Sequence, residues 1–317
     1  KYNFENSKVI LQIYLDFKKK IKNLKNKVFA IAISGGPDSL ALAALAKLLS
    51  QETNYKFYFF LINHNIRKES LSEANQVKKL LKKKHINLII IHNKVKISKN
   101  VQGEARSARY ELLVNFCLKK NIKFILTAHN LEDQVETFFI RLSRGSGLQG
   151  LSSMKQVNKI SGNISLIRPL LGFKKDHLIK ISKLTFGKYF KDPTNKNTKY
   201  LRTRIRNLKS SLETSGINYD KIFQSIKNLA SSRDTLDTYF NKIYKDIIVK
   251  KNKKIFIELK NFYNINQEMK VMVLKKTIKD FTQSYYATRS KKVINLINQI
   301  KAKKNVKFTL GGCIIFK

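Results

Sequence analysis

The chain has 317 residues, 43% of them hydrophobic, so it can bury a substantial core and two domains are expected rather than one. Its 64 lysines and arginines against 21 acidic residues give a net charge of +43, which points to an anionic polymer as partner, nucleic acid before membrane. Two distant cysteines, Cys117 and Cys313, exclude a disulfide framework and a cysteine zinc site, and no apolar run reaches the length of a membrane span.

In chain order, residues 28–33 form a β-branched and aromatic run, the pattern of a buried strand, and 40–49 read as an Ala/Leu helix. Strands follow at 55–62, 88–91 and 124–127, separated by helices near 72–83 and 102–119, with another helix from about 131 to 142. Strands alternating with helices predict an α/β fold with a parallel sheet. Ligands bind such sheets beyond the carboxyl ends of the strands. Three chemistry-bearing loops fall there: 34–39, 63–67 and 128–133. Residues 143–197 are looser, with Gly145, Gly147, Gly150, Pro169 and Pro193, and 200–212 read as a helix. A linker is expected at 213–218, around Gly216. Beyond it, 219–248, 267–281 and 288–300 read as lysine-rich amphipathic helices, with short strands at 256–259 and 306–316. The expected organisation is therefore a parallel-sheet α/β domain over 1–212 and a smaller, mainly helical domain over 219–317. No charged-then-apolar export segment opens the sequence, so a cytoplasmic location is expected.

The loop Ser34-Gly35-Gly36-Pro37-Asp38-Ser39 lacks the G-x-x-x-x-G-K-[ST] of the common nucleoside-triphosphatase loop, and lacks G-x-G-x-x-G. It supplies two hydroxyls and two glycine amides at a helix start, a place suited to an anion such as pyrophosphate. Asp38 would repel phosphate unless a cation lay between them, which implies Mg²⁺. An ordinary strand-to-helix turn capped by Asp38 or Ser39 is the alternative.

A second cluster sets Glu132, Asp133 and Glu136 in the opening turns of a helix. Charge compensation of the helix dipole explains such residues as well, but Asp133 and Glu136, three apart, share a face that would bind Mg²⁺ or an amine. His129 precedes this helix and could contact phosphate, act as a base or cap the helix. Arg141 and Arg144 with Gly145 and Gly147 form a mobile cationic loop, suited to RNA phosphate or merely to solubility. Glu104, Arg106 and Arg109 are expected to open a further helix, where a cation calls for an anionic partner: a bound phosphate, a substrate carboxylate, or Glu104 itself. Only 11 of the 64 basic residues are arginines, and nine of these lie between Arg67 and Arg206. In a lysine-rich chain a retained arginine marks a place that uses its planar fork. Arg202, Arg204 and Arg206 alternate along a helix and are expected to fan over different faces, as wrapping a nucleic-acid backbone requires.

The loop resembles the signature of N-type ATP pyrophosphatases. Together with Asn-His-Asn-Ile-Arg at 63–67, A-R-x-x-R-Y at 105–110, H-N-L-E-D-Q-V-E-T at 129–137, R-G-S-G-L at 144–148 and D-P-T-N at 192–195, it resembles the tRNA(Ile)-lysidine synthetase family over about residues 27–212. Asn65 stands where that family usually has glycine, and longer members carry a further C-terminal domain. The resemblance implies a PP-loop ATPase domain that adenylates the wobble cytidine of a CAU-anticodon tRNA(Ile) and then joins free L-lysine to it, releasing AMP and pyrophosphate. It implies ATP binding by Ser34, Gly35, Gly36, Pro37, Asp38, Ser39, His64 and His129, with Asp38 on Mg²⁺. It further implies lysine binding and catalysis by Asp133, Glu136 and Arg109, and beside it Arg141, Arg144, Arg202, Arg204 and Arg206 are the expected tRNA contacts. A homodimer is among the assemblies the resemblance leaves open. A PP-loop tRNA thiolation enzyme would need reactive cysteines near the loop, and a non-enzymatic RNA-binding protein would not need the loop intact.

Overall fold

The computed structural model describes residues 7–63, 69–93, 101–191, 197–252, 254–282, 288–302 and 307–317, with the side chains of 101–107 set aside. The expected sites His64 and Arg67 and the motif 192–195 lie outside the described residues, as do the side chains of Glu104 and Arg106.

The chain runs α1 (Lys8–Lys22), β1 (Val28–Ala32), α2 (Pro37–Glu52), β2 (Lys56–Asn63), α3 (Ser70–Lys82), β3 (Leu88–His92), α4 (Val101–Lys119), β4 (Phe124–Leu126), α5 (Leu131–Leu142) and α6 (Leu148–Leu151). It continues with the strands β5 (Val157–Ser161) and β6 (Ile164–Ile167), then α7 (Lys175–Phe186), α8 (Leu201–Asn207), α9 (Lys209–Thr214) and α10 (Tyr219–Ile247). The last elements are β7 (Ile248–Lys251), β8 (Lys254–Ile257), α11 (Leu259–Asn264), α12 (Gln267–Thr282), α13 (Ser290–Ala302), β9 (Lys307–Leu310) and β10 (Cys313–Phe316).

Six strands form one sheet in the order β3-β2-β1-β4-β6-β5. All neighbours are parallel except β5, which returns antiparallel along β6 with a register shift between Lys159 and Ser161. The parallel α/β arrangement is the expected one. The stretch 143–197, read as loose, instead supplies two strands and a helix. Its strands are short, and β5 alternates exposed with half-buried residues as an edge strand does, so no long apolar run announces them. The helix expected at 200–212 is broken at Leu208 into α8 and α9.

The core explains this order. β1 is buried along its centre and α2 buries nearly its whole apolar length, Leu40 to Ala46 and Leu49, which places α2 against the sheet. Helix α1 adds Ile10, Ile13, Tyr14, Phe17 and Ile21 to the same cluster, and α7 adds Leu178, Ile181 and Phe186. With α2 held between these neighbours, its N-terminus is fixed at the carboxyl end of β1.

Two compact units divide the chain, Lys1–Ala230 and Ser231–Lys317. The division falls inside the continuous helix α10, later than the expected linker at 213–218. The second unit is mainly helical and contains two antiparallel hairpins, β7–β8 and β9–β10. Its core gathers Phe240, Tyr244, Phe262, Val273, Leu274, Val293 and Leu296.

Candidate active site

The phosphate loop is shaped by its glycines. Gly35 has φ +82°, and a Cβ there would lie 2.6 Å from Val77 Cγ2 and 3.4 Å from the Phe190 ring. Its carbonyl accepts from Phe190 N at 3.0 Å, so the chain beyond α7 closes one wall of the loop. Gly36 is the N-cap of α2 and Pro37 its first residue; no side chain caps this helix start, so the alternative of a turn capped by Asp38 or Ser39 is not met. Proline at that position lacks an N–H that would have no helical partner, and the remaining first-turn amides are left for an anion. Ser39 works inside the loop instead: its Oγ donates to Gly36 O at 3.0 Å and accepts from Ser34 N and Ser34 Oγ, each at 3.2 Å. The two hydroxyls therefore pre-shape the turn.

Asp38 faces the start of α5. Burial pushes its carboxyl up to about 6, the nearby Asp133 and Glu132 charges push the same way, and the Lys175 charge and an Asn130 hydrogen bond pull against them. Its Oδ1 is buried with no hydrogen-bond partner. A desolvated, unpaired carboxylate oxygen beside an anion cradle is suited to a hard cation. Among the described residues no group of three or more His, Cys, Asp or Glu side chains could hold a metal.

Helix α5 begins with a capping box: Asn130 Oδ1 accepts from Asp133 N at 2.9 Å, and Asp133 Oδ2 accepts from Asn130 N at 3.1 Å. This fixes Asn130 against Asp38. His129 is therefore not the cap; its Nδ1 lies 3.0 Å from Thr127 Oγ1. Glu132 Oε2 accepts from Lys175 N at 2.9 Å, which caps α7, while Lys209 Nζ approaches Oε1 at 3.7 Å. Glu132 is thus a joint between α5 and α7. Lys175, brought to Asp38 by that joint, is a site residue that sequence reasoning missed.

The central finding concerns Asp133 and Glu136. Arg202 Nε donates to Glu136 Oε2 at 2.6 Å and Arg202 Nη2 to Asp133 Oδ1 at 2.9 Å. Arg206 Nε donates to Glu136 Oε1 at 2.7 Å and Arg206 Nη2 to Oε2 at 3.1 Å. The Glu136 side chain is only 3% exposed, while those of Arg202 and Arg206 are 39% and 33% exposed. Burial works against the Arg202 charge, but the two carboxylates overcome it and hold its pKa above the ordinary arginine value; the Glu136 hydrogen bond does the same for Arg206. The expectation that the three arginines fan over different faces is corrected here. Arg202 and Arg206 are four residues apart, so they share a face of α8 and clasp α5, whereas Arg204 is exposed.

Two other expectations change. Arg141 Nη1 donates to Gly150 O at 2.7 Å and Ser153 O at 2.9 Å, so it folds the glycine loop onto α5, while Arg144 is exposed. Helix α4 starts at Val101, which places the exposed Arg109 two turns inside it, not at its N-terminus where the dipole would act. Burial pushes the Cys117 thiol up to about 12 and raises that of Cys313, so neither is a reactive thiolate.

Residues 10–211 match the PP-loop domain family. A tRNA(Ile)-lysidine synthase of Wolbachia pipientis wMel is 35% identical over 297 residues, covering 92% of this chain and 69% of that protein. One from Orientia tsutsugamushi (strain Boryong) is 41% identical over 191 residues, covering 59% of this chain and 42% of that protein. One from Rickettsia felis is 32% identical over 311 residues, covering 96% of this chain and 71% of that protein. Among solved structures, the U34-tRNA thiolase NcsA from Methanococcus maripaludis matches with a TM-score of 0.59 at 20% identity, over 69% of this chain and 79% of that one; the likeness is one of fold.

Proposed function

This chain belongs to the tRNA(Ile)-lysidine synthase family of PP-loop enzymes, and from that premise we propose how its residues divide the ATP-dependent modification of a tRNA wobble base. The substrates are ATP, free L-lysine and a tRNA(Ile) with a CAU anticodon. Ser34, Gly35, Gly36, Pro37 and Ser39 cradle the β- and γ-phosphates, with His129 at the edge of the same site and Asn130 fixing Asp38. The buried Asp38 Oδ1 fits a Mg²⁺ ion, which when bound would neutralise phosphate charge.

In the first step the 2-oxygen of the wobble cytosine attacks the α-phosphorus, an O–P bond forms and pyrophosphate leaves. In the second the side-chain amine of lysine attacks C2, the C2–O bond breaks, AMP leaves and the amine gives up its proton. Asp133 and Glu136 receive that amine as its ammonium form and take up the proton, and Arg109 binds the lysine carboxylate. Arg144 and Arg204, both exposed, contact tRNA phosphates, and the second unit adds a further tRNA surface.

One observation carries this reading: a glycine-shaped phosphate loop with an unpaired buried carboxylate oxygen, set next to the acidic start of α5, in a chain of net charge +43. The test is mass analysis of nucleosides after incubating CAU-anticodon tRNA(Ile) with the protein, ATP and lysine. Lysidine is expected, and unchanged cytidine with intact ATP would refute the reading. Thiolation finds no support in the buried, protonated cysteines. Light scattering on the purified protein reads whether a homodimer forms.

A further inference from the structure

The two carboxylates assigned to lysine and two of the arginines expected to hold tRNA occupy each other. Glu136 is almost completely desolvated and accepts three hydrogen bonds, two from Arg206 and one from Arg202, while Asp133 accepts the second arm of Arg202. Two carboxylates against two guanidiniums leave this place with no net charge. A lysine ammonium entering beside them meets two cations already seated on the oxygens it needs. In this arrangement the acidic pair is closed to an amine.

Such a pair opens only by exchange. A carboxylate as buried as Glu136 cannot stand unpaired, so a guanidinium leaves at low cost only when another cation replaces it. The departing guanidinium in turn needs a new anion, and phosphate suits its planar fork as well as carboxylate does. The geometry favours that transfer. Arg202 and Arg206 are each about one-third exposed, so solvent and an incoming anion reach them, whereas Glu136 stays covered. Arg204 stands exposed on the same seven-residue helix, where a first phosphate contact brings the neighbouring phosphates of a nucleic-acid strand to α8.

We propose that Arg202 and Arg206 form a latch on the amine site, released when RNA phosphates draw them from Glu136 and Asp133, so that the protein binds lysine well only after it has bound RNA. This deepens the reading above and rests on it. The latch would keep abundant free amines out of the site until the base that consumes the amine is present.

The test is equilibrium dialysis of labelled lysine with the whole chain, with and without a CAU anticodon stem–loop RNA, in the presence of a non-hydrolysable ATP analogue. The expected result is weak lysine binding by the protein alone, tightened about tenfold or more by the RNA. Arg202→Gln is expected to bind lysine about tenfold more tightly than the parent without RNA, with little further gain on adding it. Arg206→Gln serves as the second variant should Arg202→Gln fail to fold, with melting curves as the check on both. Equal lysine affinity with and without RNA, in parent and arginine variants alike, while Glu136→Gln still weakens lysine binding, overturns the latch and leaves the amine site standing. Lysine binding that Glu136→Gln does not weaken overturns the amine site itself, and the latch with it.

Discussion

Glu136 Oε2 and Arg202 Nε lie 2.6 Å apart and join α5 to α8 across 66 positions of the chain. Because Glu136 also takes both contacts from Arg206, this one carboxylate organises the acidic side of the site. Glu136→Ala takes the acceptor from Arg206 and leaves Arg202 with Asp133 alone, and is expected to lower stability by about 1–3 kcal/mol, read from denaturant unfolding. Glu136→Gln keeps the shape and loses less. In single-turnover assays with labelled ATP, Glu136→Gln is expected to form adenylated tRNA while needing far more lysine and releasing AMP slowly. Lost adenylation with unchanged lysine dependence would move Glu136 to the ATP or metal site.

The glycines of the loop are separable. Gly35→Ala meets both a left-handed φ and Val77 Cγ2 at 2.6 Å, so it is expected to destabilise by about 1–3 kcal/mol and to abolish ATP binding. Gly36→Ala has an ordinary φ of −71° and its Cβ would lie 3.6 Å from Ser34 Oγ, so it is expected to fold normally. Equal losses of stability in the two variants would contradict this account of the loop.

Asp38→Asn removes a charge that the fold holds against its own desolvation, shown by the carboxyl being pushed up to about 6. At pH 7 without Mg²⁺ its melting temperature is expected to equal or exceed that of the parent. Pyrophosphate release is expected to fall on the order of 10²-fold or more. Near-normal release from a well-folded variant would remove Asp38 from the phosphate chemistry.

Arg204 is the exposed member of its trio. Arg204→Ala is expected to weaken tRNA binding and to reduce the slope of log affinity against log salt by roughly 0.7–0.9, one phosphate contact, without changing the melting temperature. An unchanged slope would show that Arg204 only faces water.

Burial raises the Cys117 thiol to about 12, above the roughly 8.5 of an exposed cysteine. A raised pKa in the fold means that stability from this group is complete below about pH 8.5 and is lost as pH climbs towards 12. Iodoacetamide at pH 8 is therefore expected to label Cys117 only in denaturant. Cys117→Ala is expected to cost about 1 kcal/mol of stability and leave pyrophosphate release intact, whereas a thiolation chemistry at Cys117 would be abolished.

The sequence by itself determined the parallel α/β order, the phosphate loop after β1, the acidic start of α5 and the helical character of the second unit. Each depends on local patterning: apolar runs, helical period, glycines at a turn. Helix α1 and the segment carrying β5, β6 and α7 escaped; β5 and β6 have only five and four residues, too few to carry much periodic signal. What only the tertiary structure decided is which charges meet. The sequence expectation spreads Arg202, Arg204 and Arg206 over different faces although i and i+4 share one, and nothing in the spacing says that this face meets Glu136, nor that Glu132 caps α7 and so brings Lys175 to Asp38. Those pairings join residues 43 to 70 positions apart, and their partners are chosen by the packing of helices on a shared core, which local sequence does not encode.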